Sequence, residues 1–393
     1  MEYIGVMSEY FSTTKRIGVL GAGQLGKMLA TAAAPWDLNL RMLDPSDPAP
    51  AEHLCKDFVR GDFRDRDTVL AFGRGCDVLT IEIEQVNVEA LEILEQEGVV
   101  VHPCPRALKM IQDKGLQKQF FVDHGIPTSA FELFEGPEAV KAADLSFPCV
   151  QKTRTEGYDG RGVKILRGAE DLADLLPGAC LVEAAVEVQT EIAVIAARSP
   201  SGEVKTFDPV EMSFHPTANL VEFLAAPARI PEEAAREARA LAEKTMQAFD
   251  VCGLLAVEMF LDADGVILVN EVAPRPHNSG HHTIEACVTS QYQQHLRAIL
   301  DLPLGDTSLR QPGVMINVLG GEGKSGPVRY EGVEEVFGTP GAHLHLYGKS
   351  ETRPFRKMGH LTVCHDELEQ AIVGARRLQQ CISVTTRESA EPA

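Results

Sequence analysis

The run from Val257 to Ala286, VEMFLDADGVILVNEVAPRPHNSGHHTIEA, restricts the fold more than any other part of this chain. It begins as an alternating strand containing Glu258, turns at Asp264 and Gly265, and returns as a second apolar strand, Val266 to Val269, that ends on Asn270 and Glu271. Such a hairpin carries one carboxylate on each arm. Hard oxygen ligands facing each other across a rigid ladder suit Mg²⁺, which fills its remaining positions with water and nucleotide phosphates. The pair therefore reads as a magnesium platform for ATP, although the hairpin alone fits two solvated strand residues equally well. Beyond it, Arg275, His277, Asn278, His281 and His282 crowd a loop broken by Pro and Gly. Functional polar residues are commonly carried on such loops by a rigid scaffold.

A chain of 393 residues with 44% hydrophobic and 24% charged residues is an ordinary globular protein of two or three domains. Its net charge of −20 repels nucleic acid and anionic membranes, so neither is expected as a partner. An anionic substrate must then be met by metal or by a local basic cluster. Nine cysteines, an odd number with no CxxC pair, predict reduced thiols and a cytoplasmic location. The first fourteen residues lack the basic start and apolar run of a signal peptide and read as an extension before the first strand. No apolar stretch approaches the roughly 20 residues that span a bilayer.

Arg16 to Leu20 leads into GAGQLG at Gly21, followed by helix formers from Lys27 to Ala34. Strand, glycine turn and helix open a doubly wound α/β domain. A second strand, Leu40 to Leu43, stops at Asp44, where a dinucleotide enzyme would hold a ribose, so an NAD-dependent dehydrogenase is an open reading. Asp77 to Ile83 predicts a buried strand with Glu82 and Glu84 at its carboxyl end, followed by helix Val88 to Glu97 and strand Gly98 to His102. Arg106 to His124 reads as one amphipathic helix with Lys109, Lys114 and Lys118 on its solvent face. Strand Phe147 to Lys152 then enters TRTEGYDGRGV, whose glycines free backbone N–H groups to wrap a phosphate, with Lys152 at the base as a point charge. A helix over 169–176, strands at 179–183 and 190–197, and a long amphipathic helix from Pro231 to Phe249 lead to the hairpin. Near the end, KSETRPFRKMGH sets Lys349, Arg353, Arg356 and Lys357 against Glu351 alone, a loop suited to a phosphate monoester or simply a solvated turn.

Six motifs in this order, GAGQLG, EIE at Glu82, KTRTEGYDGRG at Lys152, NEVAPRPHNSGHHTIEA at Asn270, TSQYQQHLRAILDLPLG at Thr289 and RKMGH at Arg356, resemble the N5-carboxyaminoimidazole ribonucleotide synthetases. The resemblance runs from about Lys15 to about Leu378. It implies mixed α/β and α+β architecture: an ATP-grasp fold with an N-terminal Rossmann-like domain and a small C-terminal α+β domain. The boundaries expected are 1–14 extension, 15–105 Rossmann-like, 106–305 ATP-grasp, 306–385 C-terminal and 386–393 tail.

The resemblance also implies ATP with Mg²⁺, or Mn²⁺ in its place, a homodimer, and 5-aminoimidazole ribonucleotide and bicarbonate as substrates. By matching positions, Arg106, Lys114, Lys152 and the loop Gly157, Tyr158, Asp159, Gly160, Arg161 and Gly162 would meet ATP phosphates. Glu183 and Val186 would lie at the adenine, Glu191 at the ribose with His215 nearby, and Glu258 and Glu271, beside Asn270, at the metal. Gln24, Glu82, Tyr158, Asp159, Arg161, Lys349 and Arg356 would surround the ribonucleotide and bicarbonate, with Asp159 or Glu82 as proton acceptor. The chain departs from the family pattern at Glu156, often Gly, and Val163, often Gln. The sister formate-dependent glycinamide ribonucleotide formyltransferase shares EIE and Asn-Glu but is less well matched by GYDGRG. A noncatalytic module on the same scaffold is opposed by the intact Lys152, Glu258 and Glu271.

Overall fold

The computed structural model describes residues 12–155, 157, 162–214 and 221–387, and among them the strands form four sheets. The first is parallel, in the spatial order Asp57–Arg60, Asn39–Asp44, Arg16–Leu20, Val78–Ile81, Val100–His102. Ile17, Val19, Leu79 and Ile81 are fully buried, as expected of short apolar runs covered on both faces. Strand order reverses between Arg16–Leu20 and Val78–Ile81, and open α/β sheets leave their ligand crevice at that point. The edge strand Asp57–Arg60 and helix Arg66–Gly73 escape the sequence reading, because a two-residue apolar core between exposed ends carries no clear period.

A four-stranded antiparallel sheet follows, ordered Phe131–Phe134, Cys180–Ala184, Cys149–Thr153, Val163–Leu166. The largest sheet has nine strands and is antiparallel. From Ile267–Ala273 it passes through Gly253–Asp262, Val188–Arg198, Val210–Phe214 and Val221–Ala226. It then continues into Gly313–Leu319, Lys357–Cys364 and Ala342–Leu346, so the C-terminal strands lengthen a sheet begun earlier in the chain. Helix Glu232–Phe249 lies on this sheet and buries Ala238, Ala242, Met246 and Phe249 against Ile192, Val194, Leu255 and Val257. Helix Gln291–Ile299 lies between the two sheets: Tyr292, Leu296 and Ile299 share a core with Ile17, Leu29 and Leu40, while Ala298 packs with Ile195, Leu254 and Ala256.

Two expectations are corrected. The single helix over 106–124 is two, Pro105–Ile111 and Lys114–Asp123. Asp113 separates them, its carboxylate accepting from the N–H groups of Gly115 (2.8 Å) and Leu116 (3.2 Å) as an N-cap. The restart rotates the lysines inward: Lys109 stays exposed, whereas Lys118 is 2% exposed. The helix over 169–176 is a 3₁₀ turn, Ala169–Asp174.

Candidate active site

Glu258 and Glu271 are cross-strand partners, so the hairpin sets its two carboxylates against each other. The next pairing is Met259 with Val269, which leaves Asn270 as an extra residue on its strand. This bulge overrides the alternation that would send Asn270 and Glu271 to opposite faces. Both accordingly meet the same group of lysines. Lys114 pairs with Glu271, and the Lys152 ammonium donates to Asn270 Oδ1 at 2.7 Å and pairs with Glu183. Lys118 reaches Glu183 at 2.8 Å and also donates to Thr128 (2.6 Å) and Ser129 (2.9 Å).

Charge in this cluster is unevenly compensated. Lys114 holds the Glu271 carboxyl well below its ordinary range. Burial works against ionisation of Glu183, yet Lys152 and Lys118 together bring its carboxyl down. Burial lowers Lys118 to about 8, Glu183 opposing and Lys152 adding to the effect. Burial, with Glu271 and Glu191 nearby, pushes the Glu258 carboxyl well up, and burial raises Glu191 to about 7. The arrangement is thus short of an anion beside Lys118 and Lys152 and short of a cation beside Glu258. No group of three or more His, Cys, Asp or Glu side chains that could hold a metal is present among the described residues. Two facing carboxylates fit a hard cation that takes its other ligands from phosphate and water, and the chemistry of the pair suits Mg²⁺ or Mn²⁺.

Next to the lysines a cavity of about 350 Å³ is lined by Thr128, Ser129, Ala184, Val186, Glu187 and Leu268. Glu183 lies beneath it through Ser129, whose hydroxyl donates to Glu183 at 2.8 Å. On the other side the strands Cys149–Thr153 and Val163–Leu166 pair Lys152 with Val163, and the Thr153 N–H donates to Gly162 O at 2.8 Å. The glycine loop therefore leaves and returns beside Lys152. Gly162 has φ +76° and its missing Cβ would lie 2.3 Å from Thr153 Oγ1, so a larger residue would strain this closure. Glu156, Tyr158, Asp159, Gly160, Arg161 and His215 lie outside the described residues.

The glycine turn of the parallel sheet is filled by the protein's own carboxylates. Glu82 accepts from Gly23 N–H at 2.5 Å and from Gly26 N–H at the start of helix Gln24–Ala33. Asp44, expected at a ribose, accepts from Ala22 N–H and Ser46 N–H, each at 2.8 Å. These are the donors a dinucleotide pyrophosphate would need, which corrects the dehydrogenase reading. Burial pushes Glu82 up to about 7, with the Gly26 and Gly23 N–H groups opposing. Gln24, at the first position of the helix, is part-exposed above it.

The family models of three domains match in chain order: a ribonucleotide synthetase preATP-grasp domain over 14–112, an ATP-grasp domain over 119–292 and a phosphoribosylaminoimidazole carboxylase C-terminal domain over 313–373. The N5-carboxyaminoimidazole ribonucleotide synthase of Synechococcus elongatus is 38% identical over 360 residues, 90% of each chain. The chain belongs to the N5-carboxyaminoimidazole ribonucleotide synthase family. It is an ATP-grasp ligase of purine biosynthesis. The Thermotoga maritima synthetase structure matches with TM-score 0.88 at 41% identity, covering 95% of this chain and 100% of that one. An Aspergillus clavatus synthase solved with ADP and 5-aminoimidazole ribonucleotide gives 0.85 at 34%, covering 94% and 98%.

In this member of the synthase family, Lys349 and Arg356 sit on the turn between Ala342–Leu346 and Lys357–Cys364, where Lys349 donates to Lys357 O and Arg356 to Glu351 O, each at 2.7 Å. Lys27 of the parallel domain reaches the same turn and donates to Leu346 O at 2.8 Å. Arg106 is exposed on helix Pro105–Ile111. Residue reasoning missed Lys118, dismissed as solvated, and the Asp113–Arg154 pair, which is bidentate with a shortest contact of 2.6 Å. An Asp followed by Lys-Gly within a helical run was the available signal for the cap. It also missed Arg275–Glu84 at 2.8 Å, which ties the loop after the hairpin to the EIE segment.

Proposed function

We propose that the enzyme carboxylates the exocyclic amine of 5-aminoimidazole ribonucleotide, using ATP and bicarbonate, with carboxyphosphate as intermediate. Bicarbonate oxygen attacks the γ-phosphorus of ATP and ADP leaves; the amine then attacks the carboxyl carbon, phosphate leaves, and one amine proton is taken up. The observation that carries this reading is the register of Glu258 with Glu271 beside the convergent Lys114, Lys118 and Lys152. A triphosphate supplies the second anion that Lys118 and Lys152, which share Glu183, lack. Magnesium, held by Glu258 and Glu271, would supply charge neutralisation at the transferring phosphate.

In this reading the cavity beside Val186 takes the adenine, Glu191 the ribose, and Lys114, Lys152, Arg106 and the loop 157–162 the phosphates. That loop, returning beside Lys152, is suited to excluding water from carboxyphosphate. Lys349 and Arg356 hold the substrate phosphate, and Gln24 meets the ribonucleotide. Both Glu82 oxygens are engaged by backbone N–H groups, so Glu82 acts as a positioning residue for the turn that carries Gln24. That leaves Asp159 as the proton acceptor. The domain limits proposed are 105/106 and 305/306. All nine cysteines are free, which supports a reducing, cytoplasmic setting. No helix among the described residues is long and apolar enough to cross a membrane. A homodimer is proposed from the family, and sedimentation at twice the chain mass checks it.

The test is ADP release with Mg·ATP and bicarbonate, with and without 5-aminoimidazole ribonucleotide, alongside glycinamide ribonucleotide plus formate. Strong turnover is expected only with the aminoimidazole substrate, and turnover with formate instead would transfer the assignment to the sister reaction. Glu271→Gln should lower kcat by at least ~10²-fold, while Lys349→Ala should raise KM for the ribonucleotide.

A further inference from the structure

Residues 274–282 connect strand Ile267–Ala273 to helix Thr283–Ala286, and His277 among them lies beside the carboxylate pair. His277 Nε2 lies 3.5 Å from Glu258 Oε1, with both side chains 16% exposed. The Ser279 N–H approaches His277 Nδ1 at 3.3 Å, and the Ser279 hydroxyl lies 2.9 Å from it. A neutral imidazole that accepts at Nδ1 carries its proton at Nε2, on the Glu258 side. Glu271 has an ammonium partner in Lys114; beside Glu258, at 3.5 Å, stands the Nε2 of His277.

Three buried amides hold this loop. Gln291 is 0% exposed and clamps the His277 backbone from both ends of its side chain: Oε1 accepts from His277 N–H and Nε2 donates to His277 O, each at 2.8 Å. Gly280 is packed against the clamp, since a Cβ there would lie 2.5 Å from Gln291 Oε1. Asn278 exchanges two hydrogen bonds of 2.9 Å with Asn317 on strand Gly313–Leu319, and Asn317 also donates to Val221 O at 2.6 Å. Burying amides costs free energy unless their donors and acceptors are used, and apolar residues would fill the same space more cheaply. These amides specify a backbone position, and the position they specify is that of His277.

We propose that Gln291 and Asn317 are positioning residues for the metal-binding carboxylates: they hold the loop so that the His277 imidazole stays against Glu258 and orients it toward the cation. The proposal rests on the reading of Glu258 and Glu271 as ligands of the divalent ion. An imidazole at 3.5 Å closes to a hydrogen bond on Glu258 with a small shift of the carboxylate, and such partners outside a ligand set commonly change metal affinity by about 10–100-fold.

The test is Mn²⁺ binding to the full-length protein with ADP, read by electron paramagnetic resonance, so that turnover is not the readout. His277→Ala is expected to weaken Mn²⁺ binding by about tenfold or more. Asn317→Asp and Gln291→Glu should weaken it in the same direction. Added to His277→Ala, each should change it less than about twofold, because the path they act through is already cut. Should the Gln291 variant fail to fold, Gly280→Ala presses on the same clamp from the loop side. Parent-like Mn²⁺ affinity in His277→Ala, or an Asn317→Asp effect that persists in full without His277, would overturn the proposal. Glu258→Gln separates the two levels. If it leaves Mn²⁺ binding intact, the carboxylate reading itself falls; if it weakens binding while His277→Ala does not, only the positioning role falls.

Discussion

Glu82 shows how much a single buried group can carry. Its carboxylate sits where a glycine turn would otherwise receive a phosphate, and a Cβ on Gly21 would come 2.4 Å from Glu82 Cγ. The turn and the glutamate therefore presuppose each other. Because burial raises this carboxyl to about 7 in the folded protein, against roughly 4.3 in an unfolded chain, folding favours its protonated form. The sign follows: its contribution to stability is present in full below about pH 4.3 and is lost as pH rises through about 7. Glu82→Gln removes that titration. The melting temperature of the parent relative to the variant should be most favourable near pH 5 and decline toward pH 8, measured by thermal unfolding across that range. A difference independent of pH would show that Glu82 is ionised throughout. Legibility at this scale was uneven. Glu258, Glu271 and Lys152 could be picked from the sequence, since strand ends and a glycine loop mark them, whereas Lys118 could not. One lysine on a helix looks like any other until its face is known.

That face is decided by an element boundary. Asp113 starts helix Lys114–Asp123 and at the same time holds Arg154 at the mouth of the glycine loop, so one side chain sets the rotation of Lys114 and Lys118 and anchors strand Cys149–Thr153. Asp113→Ala should lower unfolding free energy by about 1–2 kcal/mol for the lost cap and weaken ADP binding as the lysines lose their register. Asp113→Asn keeps an acceptor for the N–H groups and should recover most of the stability. Urea unfolding with ADP titration measures both, and equal losses in the two variants would argue that the Arg154 pair outweighs the cap. The bulge at Asn270 works in the same way on the strand side. Strict period-two alternation predicts Asn270 and Glu271 on opposite faces, and only the pairing of Met259 with Val269 reveals that they share one.

At the scale of the molecule, the nine-stranded sheet joins parts that domain boundaries would separate. Strand Gly313–Leu319 pairs with Val221–Ala226, and the seam buries Phe223, Ala225, Val314 and Ile316. A chain ending at residue 312 would uncover that apolar edge and release Asn278 from Asn317. It is expected to aggregate on expression, and a soluble, monodisperse 1–312 fragment with parent-like circular dichroism would contradict the continuity of the core. Local pattern by itself determined the parallel opening unit, the hairpin that carries Glu258 and Glu271, and the basic turn, because apolar period, glycine placement and charge density are written residue by residue. Tertiary structure alone decided that Lys118 is buried on Glu183, that Glu82 and Asp44 fill their own glycine turn, and that Gln291 holds His277 while Asn317 holds its neighbour Asn278. Each of these joins residues distant in the chain. The free energy of burying and pairing a polar group depends on which neighbours the fold brings to it, and no spacing along the sequence specifies those.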